Sequence, residues 1–200
     1  MIRYILASAS PRRRELLEQA GFTFEVIPAR GEEQAVSTDP ARMVEELSCH
    51  KAEEIAALAA KEPLQAGTDT IIIGSDTVVA ADGVVLGKPA DRADAIAMIT
   101  DLQGRSHQVY TGVTLIRLRA DGSRDRRIFH ECTDVEVYPM TEQEIAAYAD
   151  TEEPYDKAGA YGIQGAFGVR YVSGIRGDYY NVVGLPIGHV LRVLTKFGRA

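Results

Sequence analysis

The sequence predicts an α/β fold: a mixed, twisted sheet with long hairpins, its two lobes set around a central cleft. Three observations predict it. A strand-loop-helix unit opens the chain, a continuous apolar strand runs through Ile71-Ile72-Ile73-Gly74, and two hairpins interrupt the strand–helix alternation of a doubly wound sheet. With 200 residues the chain is read as one domain, 1–200, large enough to bury a core without disulfide staples.

Each element has its own signal. Arg3 to Ala7 reads as a short strand, and Ser10 at the N-cap with Pro11 at the first helical position opens a helix that runs to about Ala20 and stops at Gly21. Phe22 to Pro28 alternates as a second strand, followed by a polar loop, Ala29 to Asp39, that carries Glu32 and Glu33. Pro40 begins a long helix to about Lys61, with Met43, Val44, Leu47, Ala52, Ile55, Ala56 and Leu58 on its apolar stripe. Thr70 to Ser75 is an uninterrupted apolar strand and therefore central; Asp76-Thr77 falls within or just beyond it, and Val78-Val79-Ala80 continues. Asp82-Gly83 marks a tight hairpin turn, with Val84-Val85-Leu86 returning to Gly87-Lys88-Pro89. A helix from Arg92 to Leu102 precedes a long hairpin, Gln108 to Arg119 and Arg126 to Val137. The remainder reads as a helix from Thr141 to Asp150, a glycine-rich segment from Asp156 to Gly168, a strand from Val169 to Val172 and a final helix from Pro186 to Phe197.

Composition narrows the function classes. A formal net charge of −7, from 29 acidic and 22 basic residues, argues against a nucleic-acid polymer as partner. A small polyanion such as a nucleotide suits a local basic cluster better. Cys49 and Cys132 lack CxxC spacing and read as reduced thiols. No stretch approaches the length of a membrane span or a signal peptide, so the expectation is a soluble cytoplasmic protein without a membrane partner.

The basic cluster is Arg12-Arg13-Arg14, at the end of a helix where unpaired N–H groups and the macrodipole disfavour cations. A phosphate reverses that cost, since helix N-termini bind anions and guanidinium groups grip phosphate oxygens in pairs; the plainer alternative is pairing with Glu15, Glu18 or solvent. Asp76 is the leading acid candidate: it can hold a divalent metal, accept a proton from water, or merely cap a turn. Thr77 can hydrogen-bond a ligand or simply belong to its strand. Lys88 sits in the restricted Gly87-Lys88-Pro89 stretch, and Lys51 on the long helix is otherwise an ordinary exposed lysine. In Asp156-Lys157-Ala158-Gly159-Ala160-Tyr161-Gly162-Ile163-Gln164-Gly165, a glycine at every third position permits close backbone approach to a ligand, and the Gln164 amide carries both donor and acceptor. His50, His107, His130 and His189 show no zinc-ligand spacing, and no acyl-transfer motif is present.

Together, Leu6-Ala7-Ser8-Ala9-Ser10-Pro11-Arg12-Arg13, Gly74-Ser75-Asp76-Thr77-Val78-Val79, Gly87-Lys88-Pro89 and the Asp156–Gly165 segment resemble the Maf family of nucleoside triphosphate pyrophosphatases. The resemblance implies a fold similar to inosine triphosphate pyrophosphatases, a divalent metal cofactor (Mg²⁺ or Mn²⁺) and a homodimer. It implies hydrolysis of a nucleoside triphosphate to the monophosphate and pyrophosphate. The wording of the glycine-rich segment is similar to the branch acting on dTTP and UTP, with modified pyrimidine nucleotides among the expected substrates. Under this resemblance Asp76 matches the proton acceptor and a possible metal ligand, while Arg12, Thr77 and Gln164 match positions of substrate selection. Ser10, Arg13, Lys51 and Lys88 match polar and basic residues around the phosphates, and Glu33 an acidic position near the site. Arg14 falls at a variable position. The alternative is a non-catalytic nucleotide-binding regulator of septum formation and cell division.

Overall fold

The computed structural model describes residues 1–31, 34–61 and 67–197. Among them, seven strands form one mixed sheet: β1 (Ile2–Leu6), β2 (Glu25–Val26), β3 (Asp69–Ala81), β4 (Val84–Leu86), β5 (Ser106–Leu118), β6 (Arg124–Val137) and β7 (Val172–Arg176). Their order is β2-β1-β3-β5-β6-β7, with β4 also paired to β3. The helices are α1 (Pro11–Gln19), α2 (Pro40–Ala59), α3 (Arg92–Leu102), α4 (Glu142–Ala149), α5 (Ala166–Tyr171), α6 (Tyr179–Val183) and α7 (Ile187–Phe197), with short 3₁₀ turns at Glu153–Asp156 and Ala158–Ala160. The predicted α/β class with a mixed sheet and long hairpins is the observed one.

The hairpins follow their local chemistry. Asp82 and Gly83 both have positive φ, 48° and 78°, so β3 and β4 are joined by a two-residue turn whose twist matches that of the strands. β5 and β6 pair antiparallel from Ser106↔Glu136 to Leu118↔Arg124.

β3 organises the molecule. It pairs antiparallel with β5 along nearly its whole length, Thr70↔Leu118 to Ala80↔Gln108, which occupies one of its two edges. On the other edge β1 runs parallel to it only as far as Leu6↔Ile73, and β4 joins only from Val79↔Leu86. Gly74 to Val78 therefore have neither strand beside them. The gap also parts the core: Ile71 and Ile73 pack with Leu6, Leu16, Leu17, Val190 and Leu194, whereas Val79 packs with Ala95, Ile99, Tyr161 and Phe167.

α2 is drawn onto the sheet across this gap by two glycines. A Cβ on Gly74 would lie 2.3 Å from the Ser48 carbonyl oxygen, and one on Gly112 would lie 2.1 Å from that of Val44, so only hydrogen at these positions admits the helix backbone. Asp39 caps α2 by accepting from the Arg42 N–H at 2.9 Å.

Four expectations need narrowing or correction. Asp76 falls within its strand, not just beyond it: β3 continues past it because β5 pairs on both sides of Asp76↔Gly112. Only Glu25–Val26 of the expected 22–28 strand pairs, because β1 offers a partner at Ile5 and Leu6 alone. Leu58 lies off the buried stripe of α2 and is 48 % exposed, with Ala59 turned inward instead. Residues 169–171 are helical, not extended, because the N–H groups that open α5 find an acceptor in the distant Glu153 carboxylate.

Candidate active site

The local conformation of β3 distributes the candidate residues, since successive side chains point to opposite faces. Asp76 faces α2, and its Oδ1 accepts from Lys51 Nζ at 2.5 Å. Both side chains are largely shielded, at 11 % exposure for Lys51 and 14 % for Asp76. Lys51 stands one helical turn beyond Ser48, whose Oγ lies 2.9 Å from Thr114 Oγ1, so the close seating of α2 fixes where the ammonium falls.

Thr77 faces the other side and meets Arg13. The Arg13 guanidinium is buried at 8 % exposure and donates from Nη2 to Thr77 Oγ1 (3.0 Å), from Nη1 to Ser8 Oγ (3.0 Å) and from Nε to the Gly184 carbonyl (2.8 Å). Ser75 Oγ donates to the same carbonyl at 3.1 Å. Thr77 Oγ1 also lies 2.9 Å from Thr111 Oγ1, which donates to the Asn181 carbonyl at 2.8 Å. Asn181 is fully buried, and its amide donates to the Val109 carbonyl and Thr133 Oγ1. Thus the last turn of α6 supplies the carbonyls that hold Arg13 and Thr111.

Arg12 and Ser10 sit at the start of α1, both partly exposed. Ser10 occupies the N-cap position without a side-chain capping bond. Arg14 turns outward and pairs with Glu18 at 2.8 Å, one helical turn along. The Asp156 carboxyl, at the start of the glycine-rich segment, is held below its usual range chiefly by the hydrogen bond from Lys157, with the Arg12 charge contributing.

That segment is tied to the Lys88 stretch by the Gly159 N–H, which donates to the Gly87 carbonyl at 2.9 Å. Gly159, at φ 66°, also lies close against Val79, where an added Cβ would come within 2.9 Å of the side chain. Lys88 and Gln164 are both exposed. The structure thus joins Asp76 to Lys51, Arg13 to Thr77, and the Lys88 stretch to the Gln164 segment. Glu33 lies outside the described residues.

Sequence reasoning missed Ser8, Thr111, Asn181 and Gly184. The signal available for them was thin: a serine before the arginines, a threonine in an apolar strand, and an Asn-Val-Val-Gly run that reads as loop. A separate cavity of about 350 Å³, lined by Leu16, Ala20, Tyr180, Ile187 and Leu191, lies between α1 and α7 and contains none of the candidate residues.

The donor chemistry is compatible with a hard divalent cation. Among the described residues no group of three His, Cys, Asp or Glu side chains comes together, so a closed protein cage is absent there. Mg²⁺ characteristically takes one or two carboxylates and completes its shell with water and substrate phosphates, a role Asp76 fits. Among the described residues no helix is long and apolar enough to cross a membrane.

A family model described as Maf-like protein matches residues 3–197. A dTTP/UTP pyrophosphatase from Agathobacter rectalis is 48 % identical over 203 residues, covering 99 % of this chain and 98 % of that protein. One from Symbiobacterium thermophilum is 47 % identical over 199 residues, covering 99 % of this chain and 95 % of that protein. Among solved structures, the nucleoside-triphosphatase / dITP/XTP pyrophosphatase from Mycobacterium abscessus aligns over 100 % of this chain and 97 % of that one, at 15 % identity and a TM-score of 0.41.

Proposed function

The chain belongs to the Maf-like protein family, and from that premise we propose that it hydrolyses dTTP and UTP, and modified pyrimidine nucleoside triphosphates, to the monophosphate and pyrophosphate. The full-length relatives bearing the name dTTP/UTP pyrophosphatase support the reaction and the substrates. The observation that carries it is the position of the Asp76–Lys51 pair. It stands midway along the five residues of β3 flanked by neither β1 nor β4, with an arginine-bearing helix start nearby.

In this reading Asp76 accepts the proton of the water that attacks the α-phosphate, and Lys51 holds the carboxylate in place. Arg12, Ser10 and the N–H groups opening α1 receive the triphosphate, aided by Lys88. Arg13 acts from within: its three bonds to Ser8, Thr77 and Gly184 set the strand-to-helix turn that presents Arg12. Asp76, with the substrate's phosphates, would hold Mg²⁺ or Mn²⁺, which supplies charge neutralisation on the phosphate oxygens when bound. Gln164 reads the O4/N3 edge shared by uracil and thymine, donating to the carbonyl and accepting from the imide N–H. The protein works in the cytoplasm as a homodimer, away from membranes and nucleic-acid polymers.

Incubation with a panel of nucleoside triphosphates and Mg²⁺ or Mn²⁺, followed by separation of products, tests this. Monophosphate plus pyrophosphate from dTTP and UTP is expected. Release of γ-phosphate would make the protein a different phosphatase, and binding without turnover would leave only a nucleotide-binding regulator of cell division.

A further inference from the structure

We propose that Glu153 is the positioning residue that presents Gln164, and so sets base selection without touching the nucleotide; this rests on the reading of Gln164 given above. Glu153 opens the 3₁₀ turn Glu153–Asp156, ahead of the glycine-rich segment, and acts on both ends of it. At the near end its carbonyl accepts from Lys157 Nζ at 2.7 Å. At the far end its Oε2 accepts from the Ala166 N–H at 2.9 Å, while its Oε1 accepts from the Phe167 N–H at 3.4 Å and the Tyr148 hydroxyl at 3.3 Å.

The residue that should cap α5 is Gly165, which has no side chain to do so. Glu153 supplies the carboxylate from a distance, with a negative charge at the favourable end of the helix. Gly165 is what admits it: an added Cβ would stand 2.2 Å from Glu153 Oε1. Gln164 is the residue immediately before that contact. Its backbone is thus bracketed by the Gly162–Gly165 turn, where the Gly165 N–H donates to the Gly162 carbonyl at 3.2 Å, and by the Glu153 clamp. Without the carboxylate the N–H groups of Ala166 and Phe167 lose their acceptor, and the segment loses the restraint that aims the Gln164 amide. Asp76 and Lys51 belong to β3 and α2 and are bound to each other, so the loss falls on recognition, not on chemistry.

The test is steady-state kinetics of Glu153→Ala, Glu153→Gln, Gln164→Ala and the Glu153→Ala/Gln164→Ala double variant with UTP, dTTP and CTP. Glu153→Ala is expected to raise KM for UTP and dTTP about tenfold with kcat little changed, eroding the preference over CTP. Glu153→Gln retains an acceptor for the Ala166 N–H and should recover most of the preference. In the double variant the Glu153 change should add nothing to the loss caused by Gln164→Ala. If Gln164→Ala alters the preference but Glu153→Ala does not, or if Glu153→Ala lowers kcat equally for all three nucleotides, the proposal is wrong. If Gln164→Ala itself leaves the preference intact, the base-reading assignment has failed first. Thermal melting of each variant separates loss of fold from loss of aim, and a Glu153→Gln protein that is folded yet as unselective as Glu153→Ala also overturns the clamp.

Discussion

Lys51 Nζ reaches Oδ1 of Asp76 across 25 residues of sequence, at 2.5 Å, from a helix onto the face of a central strand. The pair is largely shielded from water, so the ammonium fixes the direction of the carboxylate. Asp76→Asn keeps the shape but cannot accept a proton, and is expected to lower kcat by about 10²–10⁴ while nucleotide binding remains measurable. Lys51→Met leaves Asp76 without its orienting partner and should cost about 10² in kcat/KM. Near-normal turnover of Asp76→Asn, measured by pyrophosphate release, would remove it from the mechanism.

Arg13 and Arg14 are neighbours with opposite fates. Arg13 is buried and donates to three oxygens, so Arg13→Ala removes three hydrogen bonds and the packing of a buried side chain and should destabilise the protein by about 2–4 kcal/mol. Arg13→Lys cannot reproduce the planar fork and should recover only part of that. Arg14 is an exposed partner of Glu18, and Arg14→Ala should leave the urea midpoint where it was. Equal midpoints for the Arg13 and Arg14 variants would contradict this division of roles.

That contrast shows where sequence reading ends. The arginine run at a helix start was legible as an electrostatic misfit, but which arginine turns inward depends on Ser8, Thr77 and Gly184, and Gly184 is 171 residues from Arg13. Helix boundaries set by Pro40 and Arg92, and the Asp82-Gly83 hairpin, follow from local chemistry and are readable. The α5 segment is not: Val169, Tyr171 and Val172 carry strand propensity, and the carboxylate that favours the helix comes from Glu153. Asp76 was visible as an acid beside an apolar run, whereas its place at a gap in one strand's pairing is a property of the whole sheet.

Gly74 and Gly112 link packing to the site. Gly74→Ala would force a methyl to within 2.3 Å of the Ser48 carbonyl, and α2 must lift to admit it. Such overpacking costs about 1–3 kcal/mol and shifts the helix that carries Lys51, so both the melting temperature and kcat should fall. Gly188, in α7, meets nothing closer than 3.8 Å, and Gly188→Ala should hold or raise the melting temperature. A Gly74→Ala protein with unchanged melting and turnover would show that α2 is not seated by that glycine.

His107 makes stability depend on pH. It is fully buried, its Nε2 lies 2.7 Å from the Tyr161 hydroxyl, and its Nδ1 has no partner among the described residues. Burial, with the Arg105 charge adding to it, lowers its pKa from 6.5 to about 4, against a smaller opposing pull from Asp134. The native state therefore prefers the neutral ring, while the unfolded chain takes up a proton near pH 6.5. Stability from this residue is complete above pH 6.5 and drains as pH falls toward about 4, by an amount on the order of 3 kcal/mol. Carboxylates with depressed pKa values, Asp134 among them, also lose stability in acid, so the comparison must be differential. Urea unfolding of the wild type and of His107→Gln at about pH 7.5, 6 and 4.5, which span about three units and most of that window, should show the wild type losing more between the first and last values. Parallel losses in the two proteins would mean that His107 does not titrate on unfolding.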